Sequence, residues 1–76
     1  MSAVLYPEIG PVYRHYKGGL YTVITLAKHT ETSELKVVYK SELFGSVYVR
    51  PLSMWFDWVK DGEDDVLRFK KYKISI

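Results

Sequence analysis

The sequence of 76 residues contains no cysteine. Disulfide bonds and thiolate metal sites are therefore excluded, and a reducing cytoplasm is the simplest compartment to expect. A chain of this size buries only about 60% of the surface that its unfolded form exposes. Because cross-links are missing, packing must supply the stability, and 16% of the residues are aromatic. Aromatic side chains are therefore expected to build the core.

Long apolar runs are also missing from the sequence. No stretch reaches the roughly 18–20 apolar residues of a membrane-spanning helix, so no membrane partner is expected. The first ten residues lack the basic segment and the apolar stretch of a secretory signal. We therefore expect a cytoplasmic protein in which residues 1–11 are an extended lead-in and residues 12–76 form a single small β-barrel domain.

Motifs of known chemistry are absent as well. Ser33 and Ser41 have no neighbouring base in a strand–turn–helix elbow, so a serine nucleophile is unsupported. A metal bound by His15 and His29 would need a third ligand nearby. No metal site and no cofactor are predicted, and whether the protein is an enzyme stays uncertain, with the balance against it.

The pattern of apolar residues predicts a mainly β protein. Strand-like runs, rich in β-branched and aromatic residues, occupy residues 12–15, 20–29, 35–40, 47–50 and 66–74. Between the last two, apolar side chains at helical spacing predict one short helix or 3₁₀ turn within residues 51–59. About five short strands in so short a chain favour a small barrel or roll, in which a closed sheet has no vulnerable edges.

Charge is unevenly distributed although the net charge is only +2. Acidic residues cluster between positions 57 and 65, and basic residues follow between positions 68 and 73. We interpret this as a solvated acidic loop beside an edge strand that lysines protect from pairing with other strands. The alternative is a patch for nucleic acid or a membrane surface.

Recognition-type side chains are concentrated in residues 13–19, which include Tyr13, His15 and two cations. His29 and Glu31 follow at the tip of the next predicted hairpin. Aromatic rings interleaved with cations can bind single-stranded nucleic acid by stacking and by phosphate attraction. The alternative is that the tyrosines line the core with only their hydroxyls in water. For His29 and Glu31 the alternatives are general acid–base work or a self-bonded turn.

Arg50 stands at the end of a predicted strand, directly before Pro51. A guanidinium in a rigid position offers a fork of donors that suits a carboxylate or a phosphate. Its partner is either a ligand or an internal carboxylate, for which Glu42 and Asp57 are the candidates.

Several of these motifs occur in the order seen in one known family. Residues 13–18 (YRHYKG), 27–32 (AKHTET), 49–51 (VRP) and 68–69 (RF) resemble the bacterial family known as domain of unknown function 1653. The resemblance runs from Tyr13 to Phe69. It implies a small SH3-like barrel or roll and no established activity. Matched by position to the polar motif residues of the family are His15, His29, Glu31, Tyr39 and Arg50. Ser33 departs from the pattern, which has glycine in this turn.

The sequence therefore predicts a non-enzymatic binding or interaction module with one polar and aromatic surface. Its predicted ligand-binding residues are Tyr13, His15, His29, Glu31, Tyr39 and Arg50. The alternative is a small enzyme or a nucleic-acid-binding protein that uses the face of His15, His29, Glu31 and Arg50. The partners left open are a small anionic ligand, a nucleic acid, a protein segment and a second copy of the chain in a homodimer.

Overall fold

The computed structural model describes residues 6–72, in which the chain forms seven β-strands and one 3₁₀ helix. The strands are β1 (Val12–His15), β2 (Leu20–Lys28), β3 (Leu35–Ser41), β4 (Val47–Pro51), β5 (Trp58–Asp61), β6 (Asp64–Leu67) and β7 (Phe69–Lys71). The 3₁₀ helix spans Leu52–Met54. The prediction of a mainly β fold is confirmed. Positions 1–5 of the expected lead-in and 73–76 beyond the last strand lie outside the described residues.

Five strands form one antiparallel sheet in the order β4-β3-β2-β1-β7. Its two edges are β4 and β7, and no ladder within residues 6–72 joins them. Strands three steps apart in a flat sheet are separated by about 14 Å, since neighbours lie about 4.8 Å apart. Nevertheless, the ring of Phe69 in β7 lies only 5.7 Å from that of Tyr39 in β3. The sheet therefore curls into an open roll, and its concave side is here called the inner face.

A β-bulge in β2 explains why this strand is apolar on both sides. The pairing of β2 with β3 shifts between Val23 and Thr25, so that Ile24 is an extra residue. Val23 before the bulge is buried, while Ile24 is 44% exposed. After the bulge the alternation changes phase, and Leu26 packs against the core beside its partner Val37. A strict period of two along β2 would have placed Leu26 on the outer face.

The strands β5 and β6 form a separate two-stranded hairpin, which the sequence pattern did not predict. Asp61 pairs with Asp64, which leaves Gly62 and Glu63 as the loop. Gly62 has φ 66° at the first central position, where a type II′ hairpin turn needs glycine. The prediction of one continuous last strand from residue 66 is wrong, because the chain leaves the hairpin at Arg68 before β7 begins.

The core is built mainly from aromatic side chains, as expected. Trp55 and Phe69 are almost completely inaccessible, and their rings stack in parallel with centroids 3.9 Å apart. Tyr13 and Tyr39 meet the indole edge-on at 5.5 and 5.1 Å. The buried Trp55 Nε1 has no acceptor among the described residues. Aliphatic residues Val23 and Val37 complete the cluster.

The segment after β4 carries Trp55 into this core. Pro51 precedes the 3₁₀ helix, and the Trp55 N–H bonds the carbonyl of Leu52. A single short turn was predicted here and is present. Trp58, which lies off the predicted apolar stripe, is 67% exposed.

The turn between β2 and β3 contains a strained residue, because Ser33 has φ 61°. A non-glycine residue in this left-handed region costs about 1–2 kcal/mol, whereas glycine costs about 0.5–1 kcal/mol in chain entropy. We therefore expect Ser33→Gly to raise the free energy of unfolding by about 0.5–1 kcal/mol in urea denaturation. Ser46→Gly is the matched control at an exposed position without positive φ, and it should destabilise. Equal destabilisation by both changes would contradict the strain argument.

Candidate functional site

Arg50 lies at the end of β4 on the inner face of the sheet. Its register partner is Val37, and Tyr48 pairs with Tyr39, so these side chains share one face. The Arg50 guanidinium lies over the Phe69 ring, with 5.4 Å from its carbon to the ring centroid. Its Nε donates a hydrogen bond of 3.4 Å to the Tyr39 hydroxyl. The side chain is therefore held in place by aromatic groups rather than by an acid.

No carboxylate among residues 6–72 forms an ion pair with Arg50. Both internal partners considered from the sequence are engaged elsewhere. Glu42 accepts a hydrogen bond from the Thr22 hydroxyl, and Asp57 accepts two from Arg68, at 2.8 and 3.0 Å. The N–H groups on the terminal nitrogens of Arg50 are consequently not paired with any carboxylate of the described residues.

His15 ends β1 and reaches the same cluster from the opposite side. It pairs with Phe69 across the β1–β7 ladder, and the two rings meet edge-on at 4.9 Å. Tyr16 packs against the imidazole at 4.7 Å. The Nδ1 atom accepts the Lys17 N–H at 3.2 Å. In the neutral imidazole Nε2 therefore carries the proton and acts as a donor.

The surroundings of His15 are electropositive. Its pKa lies below the ordinary value, first because burial disfavours the imidazolium, and then because Arg50, Arg68 and Lys17 repel it. Of these cations, Arg68 is neutralised by Asp57. The Arg68 hydrogen bonds hold the pKa of the Asp57 carboxyl below its ordinary value. Arg50 and His15 therefore lie in a region where positive charge is in excess.

Tyr13 and Tyr39 are core residues in the structure. They are only 3% and 6% exposed, and the Tyr13 hydroxyl accepts the backbone N–H of Glu8 at 2.9 Å. Rings buried to this degree offer little surface to a ligand. The part that Tyr39 plays in the site is to hold Arg50 through its hydroxyl.

His29 and Glu31 lie apart from this cluster, in the exposed turn between β2 and β3. The His29 Nδ1 accepts the backbone N–H groups of Glu31 and Thr32, at 3.2 and 3.4 Å. No hydrogen bond or ion pair of the described residues links this turn to His15 or Arg50. From its start to its end β2 spans eight residue steps, or about 26 Å at roughly 3.3 Å per residue. The structure thus brings together three of the six predicted site residues around Phe69: His15, Tyr39 and Arg50.

The predicted set of ligand-binding residues left out aromatic residues that shape the site. Tyr21 and Tyr48 flank Tyr39, at 5.4 and 5.7 Å between ring centroids, and Tyr48 is 43% exposed. Phe69 links β7 to both Arg50 and His15. The only sequence signal for Phe69 was its place in the family pattern, since its contacts with β3 and β4 arise from curling of the sheet.

A separate cleft of about 450 Å³ lies on the side of the hairpin. Its lining includes Arg14 and Lys70, which face each other across the β1–β7 ladder, together with Trp58, Asp61 and Asp65. His15 also lines it, whereas Arg50 does not. The cleft carries charges of both signs, so an anion has less to gain there than beside Arg50.

Two further observations concern residues 6–72 alone. No three histidine, aspartate or glutamate side chains in this range are placed so that they could hold a metal ion. None of the described helices has the length and apolar character needed to cross a membrane.

Comparison with known proteins identifies related sequences without a described activity. A family model described as "Protein of unknown function (DUF1653)" matches residues 11–71. The chain is also similar to the crystal structure of a protein of the same family from Bordetella bronchiseptica, at 34% sequence identity and a TM-score of 0.73. That match covers 91% of this chain and 92% of the other. No curated protein matches the chain significantly.

The Asp57–Arg68 pair predicts a pH dependence of stability. Because folding lowers the pKa of Asp57, its contribution is complete above the pKa of unfolded aspartate and is lost as pH falls through the folded value. We expect Asp57→Asn to lower the free energy of unfolding at neutral pH by about 1 kcal/mol at most, since the pair is partly exposed. The deficit should shrink in acid when followed by urea denaturation. Asp61→Asn, in the exposed hairpin, is the control, and a deficit independent of pH would contradict the assignment.

Proposed function

The chain belongs to the DUF1653 family of unknown function, and we propose that it is a non-enzymatic binding module whose inner face holds the anionic group of a small ligand. The observation that carries this proposal is the Arg50 guanidinium, which no carboxylate of residues 6–72 pairs with. A charged group that is partly removed from water and unpaired is costly. A carboxylate or phosphate of a ligand would remove that cost.

Arg50 and His15 would share the binding of such an anion. The Arg50 Nε is occupied by Tyr39, so the terminal nitrogens are the donors that a ligand would use. The proton on His15 Nε2 supplies another donor, because Nδ1 is the acceptor for Lys17. Tyr48 borders this position and is half-exposed, so its ring offers an apolar contact for the rest of the ligand. Tyr39 acts as a positioning residue for Arg50.

Binding is favoured over catalysis because the two candidate acid–base residues, His29 and Glu31, lie apart from Arg50, which would bind the anion. Glu31 offers its backbone N–H to His29, not its carboxylate, so the acid does not orient the imidazole. The pair lies in the exposed turn beyond β2. General acid–base catalysis needs such groups within hydrogen-bond reach of one bound substrate.

Nucleic-acid binding is the second hypothesis, and the low exposure of two of the tyrosine rings argues against it. Stacking of bases needs accessible aromatic faces, and both Tyr13 and Tyr39 are buried.

We also propose that the protein acts in the bacterial cytoplasm and that its roll is of the SH3-like type. These proposals rest on the lack of cysteine and on the family motifs.

The test is a titration of the protein with inorganic phosphate at constant ionic strength, followed by two-dimensional amide NMR. We expect saturable shifts at residues next to Arg50 and His15. Loss of hydrogen bonds to a charged group costs about 1.5–3 kcal/mol, so Arg50→Gln should weaken binding roughly tenfold to a hundredfold. Lys40→Gln removes the same charge from the exposed side of β3 and should leave the affinity unchanged.

Equal phosphate binding by Arg50→Gln and the unmodified protein would overturn the proposal. Tight binding of a single-stranded oligonucleotide, weakened steeply by salt, would instead support the nucleic-acid reading. Acetate in place of phosphate distinguishes a carboxylate site from a phosphate site.

A bound anion should also change the protonation of His15. The folded protein lowers the pKa of His15 through burial and neighbouring cations, and an anion beside the ring opposes that effect. We expect phosphate to raise the His15 midpoint in an NMR titration of the imidazole, so that affinity increases as pH falls. At constant pH the His29 ring signals should not respond to phosphate. An unchanged His15 midpoint at saturating phosphate would exclude contact between the anion and the imidazole.

A further inference from the structure

The edge strand β4 carries no lysine, in contrast to the edge strand β7. Lysines are a common defence against pairing with a foreign strand, and β7 carries Lys70 and Lys71. By contrast, the outer-face side chains Val47 and Val49 of β4 are apolar and 57% and 64% exposed. The only charged residue of β4 is Arg50, which faces inward. The edge at β4 is therefore open and uncharged on its outer face.

The hydrogen-bonding pattern shows which backbone groups of β4 are free. The Ser41 N–H donates a hydrogen bond to the carbonyl of Ser46. The backbone N–H and C=O groups of the even-numbered residues from Ser46 to Arg50 therefore point toward β3. Since the direction alternates along a strand, the N–H and C=O groups of Val47 and Val49 point away from the sheet. Pro51 belongs to the same set and has no N–H, which is the position where an edge strand tolerates proline. The N–H and C=O groups of two residues, Val47 and Val49, thus point away from the sheet along this edge, and the Pro51 carbonyl lies at the junction with the 3₁₀ helix.

We propose that β4 of a second copy pairs with this edge in antiparallel orientation, with Val49 opposite Val49. In this register each Val49 exchanges two hydrogen bonds with its counterpart. Each Val47 N–H donates to the Pro51 carbonyl of the other copy. Both outward N–H groups of each strand then have an acceptor. Pro51 has no N–H, so its position adds no unpaired donor. The five-stranded sheet becomes a continuous ten-stranded sheet across a two-fold axis.

In this register the side chains of the two β4 strands are complementary to each other, which is why we propose a second copy of the chain as the partner. On the outer face Val49 meets Val49, and Val47 meets Pro51. On the inner face Tyr48 stands opposite Arg50, so a cation faces a ring and no like charges are directly opposed. Further exposed apolar groups lie beyond the strand ends: Leu43 at 81%, Phe44 at 78% and Met54 at 40%.

The pairing also extends the inner-face site. Tyr48 of the second copy would lie beside Arg50, next to the donors assigned to the anion. The dimer does not depend on that assignment, because the hydrogen bonds and apolar contacts that form it involve no ligand. Failure of the phosphate titration would therefore not contradict the dimer. In the same way, a monomeric protein would not contradict the anion site.

Sedimentation equilibrium without phosphate provides the first test. We expect the unmodified protein to be dimeric and Val49→Lys to be monomeric, because two cations would meet at the two-fold axis. Val49 is exposed, so the variant should fold, which circular dichroism can verify. Ile24→Lys is the matched control on the outer face of the central strand β2, where Ile24 is 44% exposed, and it should stay dimeric. A monomer at the highest soluble concentration, or a Val49→Lys dimer, would overturn the proposal.

A cysteine variant tests the register. Residues in a hydrogen-bonded antiparallel pair have Cα atoms about 5.5 Å apart, within the roughly 4.4–6.8 Å range of disulfides. The protein has no cysteine of its own, so oxidised Val49→Cys should yield a covalent dimer and no other disulfide. Ile24→Cys, distant from the edge, should cross-link far more slowly. Equal cross-linking rates for the two variants would contradict the pairing of β4.

Discussion

The parallel stack of Trp55 on Phe69 is the contact on which the rest of the structure depends. One ring follows the 3₁₀ helix and the other belongs to β7, so the stack joins the segment after β4 to the last described strand. Tyr13 and Tyr39 close around the indole. In a chain without cysteine, this aromatic core takes the place of cross-links and forces the sheet to curl over its inner face.

Curling of the sheet also brings the residues of the candidate site together. Arg50 lies on the edge strand β4 and His15 lies on β1, three strands away in the sheet order, yet both contact Phe69. Arg50 is held by rings and a hydroxyl, while the nearby acid Asp57 is committed to Arg68. Aromatic packing therefore fixes a guanidinium without neutralising it. The excess positive charge next to His15 is a direct consequence.

Predictions from the sequence succeeded where the physics is local. The strands 12–15 and 20–29 and the single turn after Pro51 were recognisable from residue type and spacing. The β5–β6 hairpin was missed, because its Asp61-Gly62 turn was assigned to the end of the preceding turn segment. The bulge at Ile24 was also missed, since one inserted residue leaves no mark in composition.

By itself, the sequence determined the mainly β class, the aromatic core and the chemical types that a binding surface could use. Those properties follow from side-chain volume, β preference and alternation, which act between close neighbours in the chain. Only the tertiary structure decided that His15 and Arg50 both contact Phe69, and that His29 and Glu31 remain apart from them. It also decided that Arg68 pairs with Asp57. These outcomes depend on sheet curvature and on pairing across dozens of residues, and no local pattern encodes which of several charges will be left unpaired.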